Sequence, residues 1–198
     1  MFDREDGFSL LEILLVLAIM GVLAAMAVPM SGNAVRYVRI SGDARDISNA
    51  LAVTKMRAAA KFTKARLMVD LSANSYYVQT FDKTLGAWAA ETGTTSLSPY
   101  VSFGYGSVTT PPSDTQTSIG QSACYDTASP PATIGNTACV VFNSRGIPIL
   151  GDSTGAPTGN YALYINDGTF VYGVTVAATG FIRTWRTNLM ATPSWSRQ

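Results

Sequence analysis

From Ile13 to Met30 the chain runs eighteen residues without a charge, and Leu, Val, Ile, Ala and Met dominate the run. That length suits a membrane-spanning helix. Glu12 interrupts the apolar character at the front of the run. A carboxylate at membrane depth costs about 2.5–3.5 kcal/mol on insertion scales unless it finds a partner. Past Met30 the period changes. Ile40, Ala44, Ile47, Leu51, Thr54, Ala58 and Phe62 recur at steps of three and four, which places them on one helical face. Arg36, Arg39, Asp43, Asp46, Lys55 and Arg57 lie largely elsewhere, as a solvated surface would, and Gly42 weakens the middle. The pattern predicts one long helix, apolar all round over 8–30 and one-sided over 31–64.

From residue 65 the period becomes two. Ala65 to Leu71 and Ser75 to Phe81 alternate across Ser72, Ala73 and Asn74, a hairpin signal. Val101 to Tyr105, Cys139 to Asn143, Tyr161 to Ile165 and Thr169 to Ala177 read as further strands. Asn166, Asp167 and Gly168 supply the residues of a tight turn. Gly180 precedes a closing strand, FIRTW. Ser107 to Thr137 is rich in Ser, Thr, Pro and Gly and too long for a simple connection, so it reads as a surface loop. The fold class that follows is α+β, with the long N-terminal helix packed on an antiparallel β domain over 65–198.

Composition narrows the function. Lys plus Arg number 14 and Asp plus Glu 13, so no overall field directs the protein toward a polyion. The low charged fraction, 14%, with abundant Ser, Thr, Gly, Ala and Tyr, is typical of exported β-rich domains. Two cysteines, Cys124 and Cys139, then pair by default as a disulfide, and a bridge closing about fifteen residues contributes roughly 3 kcal/mol in the chain-entropy model. Histidine is absent, which removes Ser-His and Cys-His catalysis and leaves two thiolates short of a zinc shell. No phosphate-cradling G-x-x-x-x-G-K-[ST] occurs. Asp152 and Asp167 lie beside turn glycines, where turn chemistry explains them. No enzyme and no cofactor are expected.

Three readings compete for the N-terminal segment. A cleaved secretory signal wants a positive leader and an unbroken apolar core, whereas MFDREDG sets Arg4 beside Asp3, Glu5 and Asp6, and Glu12 breaks the core. A plain membrane anchor leaves Glu12 unexplained. The third rests on the whole stretch: a polar leader ending in Gly7, then Phe8, Ser9, Leu10, Leu11, Glu12, an apolar run and Pro29. This resembles the class III signal of type IV pilins and pseudopilins. The resemblance implies that a prepilin peptidase cuts after Gly7, removing a leader of residues 1–7, and that Phe8 becomes the methylated amino terminus. It also implies that Glu12 neutralises the amine of a neighbouring subunit, an ion pair worthwhile only once both charges have left water. Pro29 falls where the family keeps a helix-bending proline. Arg36 and Arg39, set against the acidic leader, point the other way by the positive-inside rule; the cysteine pair and the Thr-rich remainder favour an exported domain.

The C-terminal half, CVVFNSRGIPI from Cys139 and YALYINDGTFVYGVTVAATGFIR from Tyr161, is similar to the GspH/FimT group of minor pilins and pseudopilins. That resemblance implies a pilin-like minor filament subunit, either in a type II secretion pseudopilus or in a type IV pilus used in adhesion or DNA uptake. Its partners would be other pilin or pseudopilin subunits, prepilin peptidase and, before assembly, inner-membrane lipid, with the β domain in the periplasm. Some members of the FimT branch bind DNA through Gly-Arg-x-Arg. Gly180 and Arg183 match that pattern while Phe181 replaces its first arginine; Arg183 and Arg186, with Trp185 and Arg197, are the candidate DNA-binding set. The plainer alternative is an edge strand that points Arg183 to solvent and Phe181 and Trp185 inward. Tyr76, Tyr77 and Tyr172 read as sheet-packing aromatics.

Overall fold

The computed structural model describes residues 9–152 and 154–198, with backbone alone over 26–34. Among the described residues one helix, α1 (Leu10–Ala60), precedes twelve strands: β1 (Ala65–Asp70), β2 (Ser75–Asp82), β3 (Ala87–Ala90), β4 (Thr95–Ser96), β5 (Ser102–Phe103), β6 (Cys124–Tyr125), β7 (Thr133–Ile134), β8 (Thr137–Phe142), β9 (Tyr161–Asn166), β10 (Phe170–Val176), β11 (Ile182–Asn188) and β12 (Ser196–Arg197). The chain divides into two units, Met1–Val38 and Arg39–Gln198.

In the first unit, α1 starts on Ser9, whose carbonyl accepts from the amides of Glu12 and Ile13 at 3.0 and 3.2 Å. Serine is a favoured N-cap, and Glu12, three residues on, holds the capping-box position in the first turn, where the helix dipole favours a carboxylate. Every described side chain from 9 to 25 is exposed. Among the described residues no helix is long and apolar enough to cross a membrane. The spanning helix expected over 8–30 is therefore not shown: its described apolar side chains stop at Ala25, short of the ~20 residues that span hydrocarbon. The backbone is helical through position 29; the side chain of Pro29 lies outside the described residues.

In the second unit the expected helical face is buried from Ile40 through Ala44, Ile47, Leu51, Thr54 and Ala58. Phe62 departs from it. The helix ends at Ala60 instead of 64, because the chain turns through a Schellman cap: Thr63 N–H reaches the Ala58 carbonyl (3.1 Å) and Phe62 N–H the Ala59 carbonyl (3.2 Å). Phe62 occupies the left-handed position of that cap (φ 49°) and swings outward, 76% exposed.

The buried face rests on two antiparallel sheets. One has the order β3-β2-β1-β8, with β4 also paired to β2; the other has the order β12-β11-β10-β9-β5. The inward residues of β1 (Ala65, Leu67, Val69), β8 (Ala138, Val140, Phe142) and β10 (Tyr172, Val174, Val176) join the helix in one core. Each large aliphatic buried there contributes roughly 1.5–3 kcal/mol. Asp43 ties the helix to the 97–101 turn by accepting from the Ser98 amide (3.0 Å) and hydroxyl (2.9 Å).

The strand expected over 101–105 shrinks to Ser102–Phe103; Gly104, at φ 134°, departs from strand geometry although its amide still donates to the Tyr164 carbonyl (2.8 Å). The segment 107–137 is more than a surface loop. It contains the β6–β7 hairpin and lays Val108 against Ala162, Tyr164 and Val171 in a second core. Gln116 accepts from the Tyr164 hydroxyl (2.6 Å) and Gln121 from its amide (3.2 Å), fixing the segment on the outer face of β9. Its low hydropathy concealed this role, because polar side chains do the fastening.

Candidate functional site

The N-terminal candidates divide between described and undescribed residues. Gly7 and Phe8 lie outside the described residues. Glu12 is exposed in the first turn of α1, beside Leu10 and Leu11 at 77% and 75% exposure. Leu14, Leu17 and Leu23 continue the exposure. An exposed apolar surface of this extent marks a place where lipid or protein is met.

Cys124 and Cys139 are joined in a disulfide, with Cα atoms 4.9 Å apart. The bridge is buried beside Val141 and Ile149, under Ile134 of the β6–β7 hairpin. It ties that hairpin to the outer face of β8.

The C-terminal arginines do not come together. Alternation along β11 sends residues three apart to opposite faces. Arg186 pairs with Tyr172 and so shares the helix-side face; its guanidinium carbon lies 4.4 Å from the centre of the Phe170 ring. It lines an open groove of about 310 Å³ with Asn188, Met190, Ser194 and Ser196. Arg183 pairs with Thr175 on the other face and stacks over Phe181 at 5.4 Å. It borders a narrow cavity of about 20 Å³ with Asp114, Thr115 and Gly159. Trp185 shares that face and donates to the Thr175 hydroxyl at 2.9 Å; Arg197, opposite Trp185 on β12, is exposed. The expected split of Arg183 from Phe181 and Trp185 is therefore corrected. Positions 181, 183 and 185 have the same parity and occupy one face, and Phe181 is 53% exposed instead of buried.

Two turn carboxylates act as turn chemistry predicts. Asp152 accepts from the amides of Thr154 and Gly155, and Asp167 from those of Thr169 and Phe170. Tyr76 and Tyr172 are buried in the main core, and Tyr77 is half-buried on the outer face of β2.

A feature without a motif is Lys55. Its ammonium donates to the Gly180 carbonyl at 3.0 Å, and its methylenes pass beneath Gly146. The turns around Gly146 and Gly180, quoted above for their sequence resemblance, meet here. With β9 and β10 between them in the chain, they gave no local signal of it.

Compared with known proteins, residues 3–28 match the model of the prokaryotic N-terminal methylation motif. No curated protein matches the chain, and no solved structure does. The matched residues include Gly7, Phe8 and Glu12 and end just before Pro29. That motif is the type IV pilin signal, and it supports a type IV pilin-like reading of the chain.

Proposed function

We propose that the protein is a structural minor subunit of a type IV filament, and that the filament is a secretion pseudopilus of the GspH kind. The methylation signal at residues 3–28 carries this reading. Prepilin peptidase cleaves after Gly7 and methylates Phe8. The apolar segment over 8–30 holds the subunit in the inner membrane before assembly, with the disulfide-bonded domain in the periplasm. Glu12 then neutralises the terminal amine of a neighbouring pilin subunit as both charges leave water. This gives a use to a carboxylate that costs energy in lipid. The role is structural and needs no cofactor.

The alternative, a FimT-like pilin that binds DNA during uptake, draws on Gly180, Arg183 and Arg186. The opposed faces of Arg183 and Arg186 favour the secretion reading, because one duplex cannot engage both across a sheet. Mass spectrometry of membrane-extracted protein tests the shared part: the chain begins at methylated Phe8 when prepilin peptidase is active. An intact Met1 in such a strain overturns the reading. Co-purification with secretion components, against pilus components, separates the two machines.

A further inference from the structure

Arg66 is 5% exposed on the outer face of β1. Among the described residues it has no carboxylate in ion-pair contact. Three neutral groups hold it. Its Nε donates to Gln79 Oε1 and its Nη1 to the Tyr125 carbonyl, both at 2.7 Å, and its guanidinium lies 4.2 Å from the centre of the Trp88 ring. A buried cation without a counter-ion is unusual. Burial pushes its pKa down to about 10, which still leaves it charged at neutral pH. Something must therefore hold water away from a group that prefers it.

The cover is the β6–β7 hairpin. Tyr125, which accepts from Arg66, follows directly on Cys124. The hairpin consists of two strands of two residues, too short to be stable alone. Its fastenings to the sheet include the disulfide, the Arg66 bond, the packing of Ile134, a bond from Cys139 N–H to the Ser122 carbonyl (2.8 Å) and one from the Thr137 hydroxyl to the Ile134 carbonyl (2.6 Å). Only the first is covalent.

We infer that the 124–134 hairpin is a redox-closed strap over an Arg66–Trp88 stack: forming the Cys124–Cys139 bond seals the stack from water, and the dithiol form leaves it open. Closure joins two thiols in one S–S bond and releases two protons and two electrons. A small-molecule or protein disulfide takes up the electrons and is reduced to its dithiol. In the reduced chain, hydration of the guanidinium competes with the non-covalent fastenings of the hairpin, the Tyr125 bond among them, and hydration prevails. The oxidised chain presents the hairpin, with the exposed Asp126, in place of the guanidinium at this position. A subunit that has not met an oxidising compartment presents a stacked cation and indole instead. This inference is independent of which filament the protein joins.

The test is arginine modification by phenylglyoxal, read by mass spectrometry on the detergent-solubilised full chain, with the exposed Arg145 as internal reference. In the oxidised protein Arg66 should react at least about tenfold more slowly than Arg145, and in Cys124→Ser/Cys139→Ser within about twofold of it, as local opening of a covering segment requires. Amide exchange at Val174, fully buried in the main core, is followed in the same samples and should stay protected. Equal protection of Arg66 in both proteins overturns the inference. So does joint loss of protection at Arg66 and Val174, because the bridge would then hold the whole domain and not a strap.

Discussion

Lys55 Nζ donates a 3.0 Å hydrogen bond to the carbonyl oxygen of Gly180, 125 residues further along the chain. Gly180 has φ 76°, and a Cβ built there would lie 2.5 Å from the Gly146 carbonyl oxygen. Gly146, at φ 74°, lies against the Lys55 stem in turn. One lysine thus fastens to the helix both the turn that ends the β8 strand and the turn that opens β11.

Replacing Gly180 by alanine is expected to be among the most damaging single changes in the domain. A left-handed alanine costs about 1–2 kcal/mol, and backbone contact at Gly146 adds to it. Lys55→Met removes a charge-assisted bond worth about 1.5–3 kcal/mol while keeping most of the stem. Thermal unfolding should show a loss for both, and the double variant should lose less than the sum of the two, because the residues share one contact. A melting temperature within a degree of wild type for Gly180→Ala would refute the contact.

Phe62→Gly should stabilise the protein. The phenyl ring is exposed and the backbone is left-handed, so glycine gives up little packing and relieves about 1 kcal/mol of strain. A rise of roughly 2–4 °C in melting temperature is expected for a domain of this size. A fall would mean that the ring is packed in the native protein.

Asp43 and Glu91 should respond to acid with opposite sign. Burial raises the Asp43 carboxyl above the usual carboxylate range, partly offset by the two bonds from Ser98 and reinforced by Asp46. The folded protein then takes up a proton at a pH where the unfolded chain does not, so this group's contribution to stability grows as pH falls through its folded pKa. Glu91 is held below its ordinary value, chiefly by the hydrogen bond from Lys61 and next by that from Thr80. Its contribution is complete above about pH 4.3 and is lost as pH falls through the depressed value. Melting curves across the acid range should fall more steeply than wild type for Asp43→Asn and less steeply for Glu91→Gln. Parallel curves for all three proteins would contradict both assignments.

Glu12→Leu should insert into the membrane at least as well as wild type, since it removes an insertion cost. Incorporation into filaments should drop, because the neighbouring amine loses its neutraliser. Membrane fractionation and filament shearing separate the two steps. Normal incorporation would assign Glu12 to helix capping at Ser9 instead of assembly.

Local chemistry made much of this protein legible. The three-and-four spacing from Ile40 to Ala58 and the alternation in Ala65 to Leu71 predicted elements that form because each buries its apolar side against the other. Asn166, Asp167 and Gly168 read as a tight turn for reasons contained in four residues. The N-terminal signal is equally local, and a family model finds it at residues 3–28 although no curated protein and no solved structure matches the chain.

What escaped was set by neighbours distant in sequence. The strands Ala87–Ala90, Thr95–Ser96 and Ser196–Arg197 are too short to carry a period and exist because an established edge offers them hydrogen bonds. Phe62 fits the apolar spacing, yet the cap ends the helix before it. The two arginines of the candidate DNA patch are close in sequence, and strand pairing turns them apart. Arg66 has no sequence feature to distinguish it; only the sheet, the indole of Trp88 and a disulfide-tied hairpin make it a buried cation. The sequence by itself determined the long helix, the longer strands and the N-terminal signal, since those depend on spacing of a few residues. Tertiary structure alone decided which charges are buried and which residues meet, because burial and pairing are properties of the surfaces that fold together.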